Sequence, residues 1–328
     1  MARHVKAMKK RDKFLLALSC IFLIGILCLI AGISMGGTLF AFRLNQNINP
    51  KYTQNGTFTL SEKDSGLITG IDFDFHCQDI TIQRGDTCSI QPDDDTDSLE
   101  SKYYSYIKDN VWHIETPNFS NATITFLDHT VRIPFLSKNW DSDVSYTITL
   151  PLEKHFDRAN ISIAAGDCEI DDALTADNTT LKVGAGSLEM TGLTAKQLSI
   201  KIGAGDGTID KIHVSDHCTT KVGVGDLELG DTDNSPGENK INNLNSKTAV
   251  GNTDIAAKLT GTNQLECATG DLSLLLPGSK SNYNFTSHSS MGDICFGDST
   301  KDDSSTDVYG DISLKCSLGD IDVDFERS

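Results

Sequence analysis

A short glycine motif that returns about every twenty residues is the feature of this sequence that most constrains its fold. It reads "LKVGAGSLEM" at positions 181–190 and "IKIGAGDGTI" at 200–209. When the copies are aligned on the second glycine or its equivalent, the aligned positions are Gly166, Gly186, Gly205, Gly225, Gly251, Gly270, Gly292 and Gly319. A period of about 20–50 residues is typical of solenoids, propellers and other arrays of repeats.

Apolar residues recur at fixed offsets from each of these glycines. In the first repeat the offsets of −3, +2 and +4 fall on Ile163, Cys168 and Ile170, and the equivalent residues of the other repeats are mostly apolar. The positions between them are mostly polar. A period of two within a strand and of about twenty between strands predicts strand–bend–strand coils that stack on one another. The glycine at each bend is expected to adopt a positive φ, which a residue without a Cβ reaches at little cost.

Other parts of the chain after residue 42 are also typical of β-structure. Segments such as "IDFDF", "DITIQ" and "SYTITL" alternate apolar and polar residues between turn-forming clusters. The only helical candidate, "SLESKYYSYIK", is weak. We therefore expect an all-β region, with an N-terminal set of β-strands over 43–150 and a solenoid of about eight repeats, each of roughly twenty residues, over 151–328.

The N-terminal segment is typical of a membrane anchor. Residues 14–35, "FLLALSCIFLIGILCLIAGISM", carry no charge and as a helix would cross the roughly 30 Å hydrocarbon core of a bilayer. Residues 1–13 hold six basic side chains, which favours a cytoplasmic N-terminus. We expect a basic cytoplasmic tail over 1–13, one transmembrane signal anchor with a short linker over 14–42, and an extracytoplasmic remainder.

The repeats resemble those of the DUF4097-type family of bacterial β-strand-repeat proteins, which are often labelled adhesins. The resemblance is carried by "VSYTITLPLEKHFDRANISIAAGDCEIDDA" and by the units "AAGDCEI", "GVGDLEL", "ATGDLSL", "SMGDICF" and "SLGDIDV". It covers about residues 57–328, and two copies depart from its pattern, with Ser187 and Asn252 in place of aspartate. The resemblance implies a right-handed parallel β-helix-like solenoid, and some members accompany envelope-stress systems. It implies no catalytic residue.

An acidic column follows the bend glycines and is the candidate metal site. Its members are Asp167, Asp206, Asp226, Asp271, Asp293 and Asp320. A second outward set comprises Glu169, Glu189, Glu228, Asp254 and Asp322. Stacked carboxylates repel one another and raise one another's pKa, and Ca²⁺, which takes six to eight oxygen ligands, would relieve that repulsion. Calcium binding and solvated carboxylates with diffuse counterions therefore both remain open.

Nucleotide, nucleic-acid and catalytic functions find little support. The third glycine of a dinucleotide-binding motif is replaced by Glu189 and Thr208, and no Gly-Lys-Ser/Thr phosphate loop occurs. The formal net charge of −18 disfavours nucleic acid as a partner. A carbohydrate-active enzyme would need a base or a pair of distinct carboxylates. The chain has no arginine between Arg158 and Arg327, and its carboxylates repeat too evenly for any pair to stand out. We expect no enzyme activity and no cofactor.

Seven cysteines follow the apolar segment, an odd number that does not suggest a disulfide framework. Cys77 and Cys88 flank a predicted hairpin and are the best candidates for a disulfide. Cys267 and Cys316 share one inward column. With coils stacked in chain order they would lie two coils apart, with Cα atoms about 10 Å from each other, which is too far for a bridge. We expect both to be buried thiols.

These observations predict a non-catalytic, membrane-anchored protein of the cell envelope. It would be adhesin-like or accessory to envelope-stress sensing, with the bilayer, an envelope protein or a cell-wall polymer as partner. The alternatives are a calcium-dependent surface module and a carbohydrate-active β-helix enzyme.

Overall fold

The computed structural model describes residues 54, 56–93, 102–117, 144–151, 153–231, 236–297 and 307–326, and the backbone of 42–44, 122–126 and 129–132. The chain divides into two compact units, Met1–Asn47 with Phe119–Lys138, and Ile48–Asn118 with Asn139–Ser328. The expected membrane anchor at 14–35 lies outside the described residues. None of the helices within the described residues is long and apolar enough to cross a bilayer.

The first unit contains a small antiparallel sheet. Its strands are β1 (Phe42–Leu44), β8 (Ala122–Phe126) and β9 (His129–Arg132), and they lie in the order β1-β8-β9.

The second unit is a large sheet whose strands coil into a stack. Its N-terminal strands are β2 (Phe58–Thr59), β3 (Gly70–Cys77), β4 (Asp79–Arg84), β5 (Ser89–Pro92), β6 (Tyr104–Lys108), β7 (Val111–Glu115) and β10 (Ser145–Leu150). The repeat strands are β11 (Phe156–Ala165), β12 (Cys168–Ala185), β13 (Leu188–Ala204), β14 (Gly207–Val224), β15 (Leu227–Leu229), β16 (Lys240–Asn242), β17 (Leu244–Val250), β18 (Thr253–Ala256), β19 (Lys258–Thr269), β20 (Leu272–Leu276), β21 (Tyr283–Met291), β22 (Ile294–Phe296), β23 (Gly310–Leu318) and β24 (Ile321–Phe325).

The expected coils are present, and each is named here by its bend glycine. Neighbouring coils pair in parallel and in register, so that Lys182 lies beside Lys201 and Leu188 beside Gly207. All eight aligned glycines have φ between +125° and +141°, as the sequence predicts. Each bend is also tight, because a Cβ on Gly205 would lie 2.0 Å from the carbonyl oxygen of Gly186 in the coil below. Glycine is therefore required for both conformation and space.

The three predicted inward columns form the core. In the first repeat, Ile163, Cys168 and Ile170 are each 1% exposed, and the equivalent residues of most other coils are also buried. The Gly292 coil is the exception, since Ile294 is 37% exposed and Phe296 is only partly buried. This coil lies at one end of the stack and has a neighbour on one side only among the described residues.

The order of the stack differs from the order of the chain. Strand β19 of the Gly270 coil pairs with β23 of the Gly319 coil, and β23 pairs on its other side with β21 of the Gly292 coil. The last coil in sequence is therefore inserted between the two coils before it. The expectation that Cys267 and Cys316 lie two coils apart is wrong, because they are direct partners on adjacent strands.

The stack also continues below the first glycine repeat. Strands β3 and β4 pair in parallel with β11 and β12, so residues 70–84 form a further coil. Its bend carries Gln78, whose side-chain oxygen accepts hydrogen bonds from the backbone N–H groups of His76 and Cys77. Strands β7 and β10 cover the outer edge of this coil. Aromatic side chains fill that end of the core, with the rings of Phe73 and Trp112 5.3 Å apart.

Two local details differ from the all-β expectation. A six-residue helix, α1 (Glu62–Leu67), begins at Ser61, whose hydroxyl accepts a hydrogen bond from the backbone N–H of Asp64 at 3.1 Å. The weak helical candidate "SLESKYYSYIK" is not a helix where it is described, since it contains strand β6. Two 3₁₀ turns, Pro236–Glu238 and Lys280–Asn282, lie between coils.

The exposure of each cysteine depends on its position in the coils, and the cysteines within the described residues are free thiols. The suggested Cys77–Cys88 bridge is absent, since both side chains are thiols, with Cys77 exposed at the end of β3 and Cys88 buried in the core. The prediction that Cys267 and Cys316 are buried free thiols is confirmed. Both sulfur atoms donate to the carbonyl oxygen of Gly270, at 3.3 and 3.2 Å.

Candidate functional site

The six aspartates predicted as a metal site lie in one exposed column along the bends. In stack order this aspartate column contains Asp79, Asp167, Ser187, Asp206, Asp226, Asn252, Asp271, Asp320 and Asp293. The structure therefore brings all six predicted residues onto one edge. It also adds Asp79, which precedes the first glycine repeat and was not predicted.

Most side chains of the column bond to the coil above. The Asp206 carboxylate accepts a hydrogen bond from the backbone N–H of Asp226 at 2.8 Å, and Asp226 accepts from the N–H of Asn252 at 2.6 Å. Asp79, Asp167, Asn252, Asp271 and Asp320 make the equivalent contact at 2.7–3.0 Å. The column is therefore a hydrogen-bonded ladder that satisfies backbone N–H groups at the bends.

The ladder gives these aspartates a structural role that needs no metal. One oxygen of each bonding carboxylate is engaged with the next coil, and asparagine can make the same contact, as Asn252 does. Among the described residues, no group of three or more His, Cys, Asp or Glu side chains is arranged to hold a metal ion. Calcium binding by Asp167, Asp206, Asp226, Asp271, Asp293 and Asp320 stays a hypothesis.

The second acidic set lies on the sheet face that follows the bend. Glu169 lies beside Glu189, and Glu228 beside Asp254, on adjacent strands. The pKa of Glu169 is raised, chiefly by the negative charge of Asp171, with desolvation and the charge of Glu189 adding to the effect. Repulsion between neighbouring carboxylates therefore acts at Glu169, as the sequence suggests.

A column of lysines lies on the sheet face that precedes the bend, and the sequence analysis missed it. This lysine column runs in register through Lys182, Lys201, Lys221, Lys247, Glu266 and Lys315, and it is flanked by Ser162 and His288. Beyond Ser162 the same register continues to two carboxylates, Asp74 and Glu115. The one carboxylate within the lysine column, Glu266, accepts from the Lys247 ammonium group at 3.0 Å. That contact, followed by the charges of Lys247 and Lys315, lowers the pKa of Glu266.

The lysine column borders a shallow groove of about 740 Å³ that runs along the stack, across the strands. A column of small residues forms the floor, and it comprises Ala164, Gly184, Gly203, Gly223, Ala249, Ala268 and Ser317. A Cβ on Gly203 would lie 2.3 Å from the carbonyl oxygen of Gly184. The close approach of adjacent coils therefore leaves no room for a side chain at this point of the floor. Most coils along the groove thus contribute one long cationic side chain and one small residue, whereas the Gly166 and Gly270 coils contribute Ser162 and Glu266 in place of lysine.

The alignment that identified the aspartates could also have identified the lysines. Counted back four positions from the bend glycine, the copies read Ser162, Lys182, Lys201, Lys221, Lys247, Glu266, His288 and Lys315. The net charge of −18 describes the whole chain and gives no indication of a local column of cationic side chains. The structure separates the two charges onto the sheet faces on either side of the bend.

The family model of the Toastrack DUF4097 family matches residues 68–326, most of the chain. The chain belongs to the Toastrack DUF4097 family. The match begins before the first glycine repeat and includes β3 and β4, the strands of the Gln78 coil. The family model therefore covers the Gln78 coil together with the glycine repeats.

Three solved structures are similar to this Toastrack chain. A candidate adhesin from Bacteroides fragilis is 15% identical, with a TM-score of 0.43 and coverage of 81% of this chain and 94% of the other. A candidate cell-adhesion protein from Clostridium sporogenes is 11% identical, with a TM-score of 0.27 and coverage of 83% and 99%. A candidate lipid-binding protein from Parabacteroides distasonis is 12% identical, with a TM-score of 0.42 and coverage of 84% and 99%. No curated protein matches the chain.

Proposed function

We propose that this Toastrack protein is a non-catalytic, adhesin-like protein of the cell envelope. Residues 14–35 anchor it in the membrane with residues 1–13 in the cytoplasm, and the solenoid lies on the extracytoplasmic side. Six basic residues before an uncharged stretch of 22 residues support this orientation. Anchored in this way, the protein binds other components of the envelope, or assists a system that senses envelope stress.

One observation supports the non-catalytic part of the proposal: each polar column consists mostly of one type of side chain, repeated in similar surroundings from coil to coil. Acid–base catalysis needs two groups whose environments hold them in different protonation states. The ladder instead places Asp206 and Asp226 in equivalent positions with equivalent bonds. Long columns of like side chains support binding through many small contacts spread over several coils.

Protease treatment of intact cells that express the full chain tests the orientation. We expect added protease to remove the region after residue 42 and to spare the N-terminal tail. Full protection of the solenoid in intact cells, with cleavage only after lysis, would overturn the proposed topology.

Anchoring is tested by charges in the apolar segment. Ile24→Arg with Leu27→Arg should release the chain from the membrane fraction, because each charged residue near the centre of a span costs about 2.5–3.5 kcal/mol. The matched control, Lys9→Arg with Lys10→Arg, keeps the charge of the tail and should leave the protein in the membrane. Membrane retention of the double arginine variant would contradict an anchor at 14–35.

A further inference from the structure

We propose that the groove beside the lysine column binds a linear polymer of phosphodiesters, laid along the stack across the strands. The inference rests on the proposed function, because such a polymer must be met outside the membrane. It names the chemical class of the partner and the residues that contact it.

The local charge along the groove favours an anionic ligand. Between the Gly166 and Gly251 coils, the outward positions on either side of the lysine column are small residues or polar residues without charge, and Arg158 adds a cation further along β11. The uncharged polar positions are Asn160, Thr180, Ser199, Thr219 and Asn245. Within the described residues, Lys182, Lys201 and Lys221 form no ion pair, and Glu266 is the only carboxylate in the lysine column. A cationic strip is thus available on a strongly acidic protein, and it selects an anionic ligand.

The spacing of the lysine charges favours a ligand that is itself a chain. Adjacent strands are about 4.8 Å apart, so Lys182 and Lys315, five strand steps from each other, span about 24 Å. A single phosphate would contact one or two of these lysines. A ligand that repeats its negative charge along a chain can contact the whole column, and its many weak contacts add up.

The shape of the groove is also suited to a chain-like ligand. Its floor at Gly184, Gly203 and Gly223 carries no side chain, and on this side the bends present exposed apolar residues such as Val224, 55% exposed, and Val250, 46% exposed. A shallow groove bordered by lysine side chains and floored by small residues, with exposed apolar residues at the bends, fits a flexible chain of charged groups and carbon spacers. The hydroxyl and amide groups beyond the lysines can donate hydrogen bonds to its phosphate oxygens.

The binding test uses the full chain purified in a neutral detergent, with fluorescent synthetic poly(glycerol phosphate) as the probe and anisotropy as the readout. Lys201→Gln with Lys221→Gln should weaken binding at least about tenfold at low salt. The slope of log K against log salt should fall in magnitude by about 1.4, from roughly 0.7 for each lost contact. Glu266→Gln should tighten binding about two- to threefold, because it removes the one opposing charge from the column.

The control is Lys211→Gln with Lys240→Gln. It removes the same charge from exposed lysines outside this column and should change the Kd less than about twofold. Equal weakening by both pairs, or unchanged binding in the Lys201 and Lys221 variant, would overturn the inference. It would also be overturned if glycerol phosphate monomer competed as well as the polymer at equal phosphate concentration.

The same samples distinguish the polymer from two other occupants of the groove. Phosphatidylglycerol vesicles that bind through Lys201 and Lys221 while the polymer does not would indicate a membrane surface instead. Salt-sensitive self-association in sedimentation, lost in both the lysine variant and a Glu189→Gln with Glu228→Gln variant, would indicate a second copy of the chain. Either result overturns the polymer. If the polymer does not bind but the protease test shows an extracytoplasmic solenoid, the polymer inference fails and the proposed function stands. If the protease test shows a cytoplasmic solenoid, the proposed function fails whatever the anisotropy measurement shows.

Discussion

Two columns of polar side chains run along the same stack only a few residues apart, and both repeat once per coil. The aspartate column uses its oxygens to accept backbone hydrogen bonds from the next coil, as Asp206 does from Asp226. Among the described residues, the lysines of the other column make no such contact, and Lys247 with Glu266 forms the one ion pair within that column. A repeating polar column in a solenoid can therefore be part of the scaffold or a surface open to a ligand. The destination of its hydrogen bonds distinguishes the two.

The largest effect is expected from a change at the bend on which both columns depend. Gly205→Ala places a Cβ at a φ of +129° and 2.0 Å from the carbonyl oxygen of Gly186. We expect a loss of about 3 kcal/mol or more in the free energy of unfolding, measured by urea denaturation.

The matched control is Gly66→Ala in helix α1, where a Cβ meets no atom within 4 Å and φ is not positive. It should leave the protein unchanged or stabilise it by up to about 1 kcal/mol. Equal stability of the two variants would show that the bends are not as tight as described.

The next effect concerns the order of the coils, which decides which charges are neighbours within each column. Thr269 and Leu318 are exposed partners on adjacent strands, so Thr269→Cys with Leu318→Cys should form a disulfide under mild oxidation. Thr269→Cys with Met291→Cys should not, because Met291 lies one strand further away, with Cα atoms about 10 Å apart. Mass spectrometry of the linked peptides decides. A disulfide between positions 269 and 291, and none between 269 and 318, would mean that the coils stack in the order of the chain.

The position of Cys267 beside Cys316 shows what the sequence could not predict. The twenty-residue period identifies equivalent positions, which is why the positive φ of the bend glycines and the burial of Ile163 were predicted correctly. A period does not say which equivalent strands are neighbours, because the Gly292 and Gly319 coils present similar edges to the Gly270 coil. That choice is made by long-range packing.

The two candidate columns illustrate the same limit at the level of side chains. The column of Asp206 and Asp226 could be predicted from spacing alone, but its hydrogen bonds could not, since they depend on how closely the coils approach. The lysine column was accessible by the same alignment. The coil at Gln78 was not, because its bend has no glycine and the repeat cannot be followed to it.

A direct comparison of the columns is the third test. Asp226→Ala removes the acceptor of the Asn252 N–H and should cost about 0.5–1.5 kcal/mol, whereas Asp226→Asn keeps an acceptor oxygen and should cost little. Lys221→Ala, in the same coil but on the lysine column, should change stability by less than about 0.5 kcal/mol. A larger loss from Lys221→Ala than from Asp226→Ala would reverse the assignment of roles.

Calcium provides the fourth test of the aspartate column. Because one oxygen of each bonding carboxylate is engaged in the ladder, we expect calorimetric titration of the full chain with Ca²⁺ to give no saturable heat. The melting temperature should not rise when Ca²⁺ is added. Saturable binding that is lost in the Asp226→Asn variant would make the column a metal site as well as a scaffold.

The smallest effect is expected at Glu266, where the lysine column contains its own counter-charge. The hydrogen bond from Lys247 holds the pKa of Glu266 below its usual value, so the pair contributes stability above the unfolded pKa of about 4.3 and loses it as the pH falls through the lower folded pKa. Glu266→Gln should therefore cost a few tenths of a kcal/mol at pH 7, as exposed pairs do, and nothing near pH 3. Urea denaturation at the two pH values measures the difference. A cost that persists at low pH would mean that Glu266 stabilises the coil through packing, and that the lysine column could lose its one carboxylate only with damage to the scaffold.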